Sequence, residues 1–203
     1  MIDLYTWGTP NGFKVSIMLE ELGLAYTVHP INILDEDQFA PDYIAINPNA
    51  KIPAIVDVEN GLTISESGAI LIYLAEKYES DLLPTSGPER YDVLQWLMLQ
   101  MGGVGPIFGQ VHHFYKFSKE DIPYAKQRFG DEMTRLYGVL DAKLAKTTYI
   151  AGNSYSIADI ALYPWVARHE WHPLDLNEFC HVKRWYDTLS SRTGIKRGMD
   201  VPK

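Results

Sequence analysis

Between residues 51 and 66 two β-favouring runs, 52–58 and 62–64, flank Glu59-Asn60-Gly61, and Asn-Gly is the strongest short-range signal for a hairpin turn. Strands joined that way are antiparallel. Upstream, residues 3–7 read as a strand and 26–33 as another. Residues 10–22 between them read as a helix, with Phe13, Ile17, Leu19 and Leu22 on or near one stripe. That is a βαβ unit, whose helical crossover obliges its strands to run parallel with a right-handed connection. Only a mixed sheet satisfies both demands. A short helix over 38–44 and another beginning near Ser67 complete the order βαβαββα in about 78 residues: a four-stranded mixed sheet layered with helices.

The rest of the chain carries no strand signal. Residues 79–89, "ESDLLPTSGPE", hold two prolines and a glycine without periodicity and suit a linker. Helical patterns follow over 91–117, 123–144, 157–171 and 179–191. The expected division is therefore a domain over 1–80, a linker over 81–89 and an all-helical domain over 90–203. Within it, Ser156-Ile157-Ala158-Asp159 reads as a capping box at a helix start. The stretch "GGVGPIFGQVHHFYKF" sets four glycines and Pro106 inside a helix, which predicts a kink or break near Gly105. Such a bend opens a cavity, with Phe114, Tyr115 and Phe117 as candidate wall residues.

Composition narrows the function classes. With 203 residues, 46% apolar and 22% charged, the chain is long enough for a real core. No run approaches the roughly 18 apolar residues of a membrane span, and no basic leader precedes the first strand, so neither membrane association nor export is expected. Cys180 is the only cysteine, which rules out an internal disulfide framework and points to a reducing compartment, the cytoplasm. The expected role of Cys180 is inert packing. A formal charge of −8 opposes broad nucleic-acid binding and requires local positive groups around any anionic ligand. His112 and His113 are adjacent and point to different helix faces, and "HEWH" at 169–172 lacks the i, i+4 spacing of a zinc pair. No metal is expected, and "HEWH" reads as a helix end before Pro173.

Several motifs together carry a resemblance: "TPNG" at 9–12, "NPNAKIPAIVD" at 47–57, "ESGAILIYLAEKY" at 66–78, "GGVGPIFGQVHHF" at 102–114 and "SIADIA" at 156–161. A small thioredoxin-like domain followed by an all-helical one resembles the cytosolic glutathione transferases. These motifs look like the nu-class, disulfide-bond-oxidoreductase branch, which is related to the yeast prion-forming nitrogen regulator. The resemblance implies glutathione as cosubstrate, a small disulfide or electrophile as second substrate, and a homodimer. It also implies a cis bond before Pro53, where the residues alone suggest an ordinary trans turn proline.

The candidate site follows from residues and resemblance together. With Thr9 as N-cap and Pro10 at the first helical position, the first turn aims free N–H groups outward, and a thiolate held there is stabilised by the helix dipole and by charge-assisted hydrogen bonds. No cysteine occupies the turn, so the reactive sulfur arrives with glutathione; Thr9 or Asn11 is its donor. Tyr5, the strand-end tyrosine used by other classes, falls inside the strand with Asp3 and Trp7 and reads as packing. Ile52 and Pro53 offer backbone to a peptide ligand. Glu66 and Ser67 at a helix start suit a γ-glutamyl head that carries ammonium and carboxylate, or else form an ordinary capping pair. By resemblance, Gln38 and Lys51 reach the tripeptide and Arg128 approaches from the helical domain; without it, Arg128 reads as part of a solvated face with Lys126 and Asp131. The function implied is glutathione-dependent disulfide-bond oxidoreduction. Conjugation of electrophiles, a non-catalytic glutathione-binding regulator and a purely structural role are the alternatives.

Overall fold

The computed structural model describes the whole chain, Met1–Lys203. Its first part runs β1 (Ile2–Thr6), α1 (Pro10–Glu21), β2 (Tyr26–Pro30), α2 (Pro41–Ile46), β3 (Ala54–Asp57), β4 (Leu62–Ser65) and α3 (Ser67–Lys77), the expected order. A 3-10 turn at Asp37–Phe39 precedes α2. The four strands lie in the order β2-β1-β3-β4. β1 is parallel to β2, with Leu4 opposite Val28, and antiparallel to β3, with Leu4 opposite Ile55. β3 and β4 form the hairpin, with Ile55 opposite Ile64. β2 stops at Pro30 rather than reaching residue 33, because its partner β1 ends at Thr6, opposite Pro30.

Alternation along β1 buries Ile2, Leu4 and Thr6 and leaves Asp3 and Tyr5 half-exposed on the other face. Ile2, Leu4, Ile17, Met18, Ile55, Ile70 and Leu74 are fully buried, each contributing about 1.5–3 kcal/mol of transfer free energy. α1 is buried continuously from Gly12 to Leu19, more than one amphipathic face requires. The reason is a second helix. α9 (Thr193–Gly198) packs along α1 in addition to α3 and β1.

The chain divides into two compact units, Met1–Leu83 with Ser191–Lys203, and Pro84–Ser190. Residues 191–203, expected in the helical domain, thus belong to the sheet-containing unit. They are tied there by Ser16 Oγ–H donating to Gly198 C=O at 2.6 Å, and by a two-pronged pair in which Arg192 reaches both Glu21 oxygens at 2.9 and 2.7 Å.

The second unit contains α4 (Pro88–Leu99), α5 (Gly105–His112), α6 (Pro123–Leu144), α7 (Ile157–Val166) and α8 (Cys180–Ser190). From Pro88 to Phe117 the chain stays helical, with π-helical turns at Gln100–Val104 and His113–Phe117. The expected break near Gly105 is thus a widening: the π turn absorbs the bond that Pro106 cannot donate. Gly105 itself is required by close packing, since a Cβ there would lie 2.9 Å from Gln100 Nε2 and 3.6 Å from Trp165. The capping box forms as read, with Ser156 N–H donating to Asp159 Oδ2 at 3.0 Å and Ala158 N–H to Ser156 Oγ at 3.3 Å. Asp159 also accepts from Ile150 N–H and Trp185 Nε1–H, at 2.9 and 2.8 Å. Burial pushes its carboxyl up to about 6 against those three donors and Ser156 Oγ–H, which donates at 3.1 Å.

Two readings of this unit need correction. Cys180 is exposed rather than packed. It opens α8, whose start is capped from α6: Asp141 Oδ1 accepts from His181 N–H and Val182 N–H at 2.8 and 3.0 Å. A cavity of about 500 Å³ in this unit is walled by Ile107, Phe129, Arg128 and Arg135 among others. Phe114 stacks on Phe129, and Phe117 meets Trp171 edge-on. His172 is not simply a helix end. It is buried, its Nε2 lies 2.9 Å from His112 Nε2, and its Nδ1 lies 2.8 Å from the Tyr137 hydroxyl. Burial, with the Arg168 charge, pushes His112 down to about 4; burial, with His112 and His169, pushes His172 down to about 3. No helix is long and apolar enough to cross a membrane.

Candidate active site

β1 ends at Thr6, and the chain turns at once: Thr9 N–H donates to Trp7 C=O at 2.6 Å. Thr9 is extended (φ −117°, ψ 159°), its Oγ1 accepts from Gly12 N–H at 3.2 Å, and Pro10 opens α1. The threonine is therefore the N-cap, and a hydroxyl that accepts keeps its own proton to donate. Gly12 makes the turn possible. A Cβ there would lie 2.3 Å from Trp7 C=O and 2.4 Å from Thr6 Oγ1. Asn11 follows in the first turn, half-buried.

The second element of the site precedes β3. Tyr43 O–H and Asn47 Nδ2–H both donate to Lys51 C=O, at 2.5 and 2.7 Å, which fixes the loop while leaving the Lys51 side chain exposed. The Ile52–Pro53 bond is cis. Pairing of β3 begins at Ala54, opposite Tyr5 and Ser65, so Ile52 lies ahead of the sheet register.

The third element starts α3. Glu66 stands at the N-cap with φ 68°, ψ 111°, a left-handed backbone for a residue other than glycine, and its side chain makes no capping bond. The capping-pair reading of Glu66 and Ser67 is thus not what forms. Such a backbone costs roughly 1–3 kcal/mol and tends to cluster at ligand sites. Ser67, 3% exposed, has its Oγ 3.2 Å from Lys14 Nζ and accepts from it.

Lys14 was not among the residues singled out from the sequence. It is 1% exposed, and burial pushes its ammonium down to about 7, with the Glu66 charge acting the other way. One signal was available: Lys14 sits one turn before Ile17 and Met18, a charge on the apolar stripe of α1.

Register brings three of these segments together. β1 is antiparallel to β3 and β3 to β4, so the exit of β1 toward Thr9 and Asn11, the entry to β3 at Ile52 and Pro53, and the exit of β4 into Glu66 and Ser67 lie at one end of the sheet. Gln38 lies on the 3-10 turn before α2, half-buried, and its Oε1 is buried with no hydrogen-bond partner. Arg128 belongs to the other unit, exposed on α6. There Lys126 pairs with Asp121 at 2.5 Å and Gln127 holds Asp131. Tyr5 is half-exposed and stacks on His29, ring centroids 4.5 Å apart, on the face with Asp3.

Residues 1–76 match the family profile "Glutathione S-transferase, N-terminal domain", and residues 92–193 match "Glutathione S-transferase, C-terminal domain". The chain belongs to the glutathione S-transferase family. Among relatives of this glutathione S-transferase, disulfide-bond oxidoreductase YfcG of Escherichia coli is 45% identical over 197 residues, covering 95% of this chain and 91% of that protein. Disulfide-bond oxidoreductase YghU of the same organism is 39% identical, covering 98% of this chain and 74% of that protein. Among solved structures, a glutathione transferase from Burkholderia graminis with two glutathione molecules bound per subunit superposes with a TM-score of 0.93 at 43% identity, covering 100% of this chain and 88% of that one. One from Pseudomonas putida, with one glutathione disulfide bound per subunit, gives a TM-score of 0.94 at 43% identity, covering 100% of this chain and 92% of that one.

Proposed function

We propose that this glutathione S-transferase reduces disulfides with glutathione, using Thr9 and Asn11 at the start of α1 to hold the glutathione sulfur as a thiolate. The observation that carries the reading is the Thr9 cap: its oxygen accepts from Gly12 N–H, which leaves its own proton to donate. Lowering a thiol pKa by two units takes about 2.7 kcal/mol. The helix end supplies about 0.3–1 kcal/mol and each charge-assisted hydrogen bond about 1.5–3 kcal/mol, so one hydroxyl or amide donor with the helix end suffices.

The remaining residues place the tripeptide. Ile52 pairs with its backbone as a strand neighbour does. Glu66 and Ser67 take the γ-glutamyl ammonium and carboxylate, and Gln38 and Lys51 take the glycine end. In the reaction the glutathione thiolate attacks one sulfur of the substrate disulfide, forming a mixed disulfide and expelling a thiolate that takes a proton from water. A second glutathione thiolate attacks the glutathione sulfur of that mixed disulfide, forming glutathione disulfide and expelling the other thiolate. Two glutathiones are oxidised and one substrate disulfide is reduced. The two oxidoreductase relatives favour this reaction over conjugation.

The protein works in the cytoplasm, where glutathione is abundant and reduced, and as a homodimer. Tyr91 and Met98, two turns apart on α4 and 71% and 53% exposed, support a partner surface there. The test is reduction of a small mixed disulfide by glutathione in the unsubstituted protein, Thr9→Ala and Asn11→Ala, with an electrophile conjugation assay alongside. At least one substitution is expected to lower disulfide turnover by about 10–100-fold, one charge-assisted bond. Unchanged turnover in both removes the assignment, and conjugation without disulfide reduction replaces the reaction.

A further inference from the structure

Cys180 is exposed at the first residue of α8, and two other ligating groups lie beside it. The sulfur of Cys180, a ring nitrogen of His181 and a carboxylate oxygen of Asp141 all lie within 4.8 Å of one another. Asp141 comes from α6 and the other two from α8. The helices hold them in register: Asp141 Oδ1 accepts from His181 N–H and Val182 N–H at 2.8 and 3.0 Å, which docks the start of α8 on α6 and leaves Oδ2 its lone pairs. No motif announces the group, because Asp141 stands 40 positions before His181. Thiolate, imidazole and carboxylate are the ligand types of zinc, and this mixed set differs from the all-oxygen sets that suit magnesium or calcium. Atoms bound to one zinc ion at tetrahedral angles lie about 3.3–3.6 Å apart. Closing the cluster from 4.8 Å takes about 1 Å of side-chain movement, which exposed Cys180 and half-exposed Asp141 and His181 allow.

We propose that Asp141, Cys180 and His181 bind a single zinc ion, with water in the fourth position. Binding displaces the thiol proton, so the ion meets a thiolate and a carboxylate, two negative charges. These outweigh the partial positive charge of the helix start, about half an elementary charge. The next two cations along α8 do not compete for the anions. Lys183 pairs with Asp187 at 2.6 Å, and Arg184 donates to Leu144 C=O and Thr147 C=O at 2.7 and 2.9 Å. The two N–H bonds to Asp141 serve as the outer shell that orients its carboxylate. The ion joins α6 to α8 and covers the chain's only thiol. It is a staple within the helical unit and owes nothing to the glutathione site.

The experiment titrates the full chain with cobalt(II), the spectroscopic stand-in for zinc, in the absence of glutathione, whose own thiol binds metals. A single equivalent is expected to bind, with a thiolate-to-cobalt charge-transfer band in the near ultraviolet and the strong visible bands of a four-coordinate ion. Zinc is expected to displace the cobalt and abolish both. Cys180→Ser is expected to remove the charge-transfer band. Asp141→Asn keeps Oδ1 for the two N–H groups, and it and His181→Ala are each expected to weaken binding by more than about 100-fold, beyond the cost of a lost outer-shell partner. Because Cys180 is the only cysteine, its alkylation by iodoacetamide reports the same site in the unsubstituted protein: zinc is expected to slow it and magnesium to leave it unchanged. Should Asp141→Asn not fold, the alkylation rate decides without it. A cobalt spectrum lacking the sulfur band, a band at full strength in both Asp141→Asn and His181→Ala, or alkylation at one rate with and without zinc overturns the inference.

Discussion

Acid should weaken the helical unit through one buried pair, His112 and His172. Both rings are neutral in the folded protein, pushed down to about 4 and about 3 from 6.5. In the unfolded chain each takes a proton near its ordinary value. Between about pH 6.5 and 4 the unfolded state therefore binds more protons, and stability falls as pH falls. The slope is about 1.4 kcal/mol per pH unit for each ring, so moving from about pH 6.5 to 4.5 costs about 5 kcal/mol for the pair. That is comparable to the whole stability of a marginal domain. Asp159 acts in the opposite direction: its carboxyl, up at about 6, is protonated in the folded state before the unfolded one, which stabilises by about 2 kcal/mol over the same descent. His172→Gln separates the two, because glutamine keeps polar atoms for Tyr137 and His112 but does not titrate. Trp165 and Trp171 flank His112, at 5.7 and 5.3 Å between ring centroids, and report unfolding of this region by fluorescence in urea. At neutral pH the variant is expected to be less stable by about 1–2 kcal/mol, from lost packing and hydrogen bonding. That deficit should shrink and then reverse toward pH 4.5, as the variant escapes about 2–3 kcal/mol of the acid penalty. Stability curves that stay parallel over this range would refute the reasoning.

Other substitutions test the scaffold of the site. Gly12→Ala places a methyl against the Trp7 carbonyl, and is expected to destabilise by about 1–3 kcal/mol and to abolish the thermal shift given by glutathione. Gly198→Ala sets a Cβ 2.4 Å from Ile17 Cα, and overpacking of about 1–3 kcal/mol should appear as a lowered midpoint in urea. Arg192→Ala removes the pair to Glu21, whose two side chains are 35% and 9% exposed, and about 1 kcal/mol is expected to be lost in the same measurement. Thr9→Ser keeps cap and donor, whereas Thr9→Val loses both; only the second should raise the pKa of bound glutathione, by about 1–2 units, read from the ultraviolet absorbance of the thiolate.

What could be read from the residues divides by distance along the chain. Asn60-Gly61 specifies its hairpin, Thr9-Pro10 its helix start and Ser156 with Asp159 a capping box, because each acts on neighbours within a few residues. Lys14 meets Ser67 from 53 positions away, His112 meets His172 from 60, and Asp141 caps α8 from 40, so none of these pairings announces itself locally. The six-residue α9 is too short to display a period, and Cys180, apolar by composition, is exposed because its helix turns that position outward. Pro106 misled in the other direction: a helix breaker by rule, it falls where a widened turn has already given up the bond it lacks.

Residues 191–198 brace the very helix that presents Thr9, Asn11 and Lys14. Roughly a hundred residues of a separate unit are translated between the sheet and that brace. At about 5–20 residues per second, the nascent N-terminal segment waits on the order of ten seconds with one flank of α1 bare. The start of α1 at Thr9 is thus braced late, only after residues 191–198 have left the ribosome.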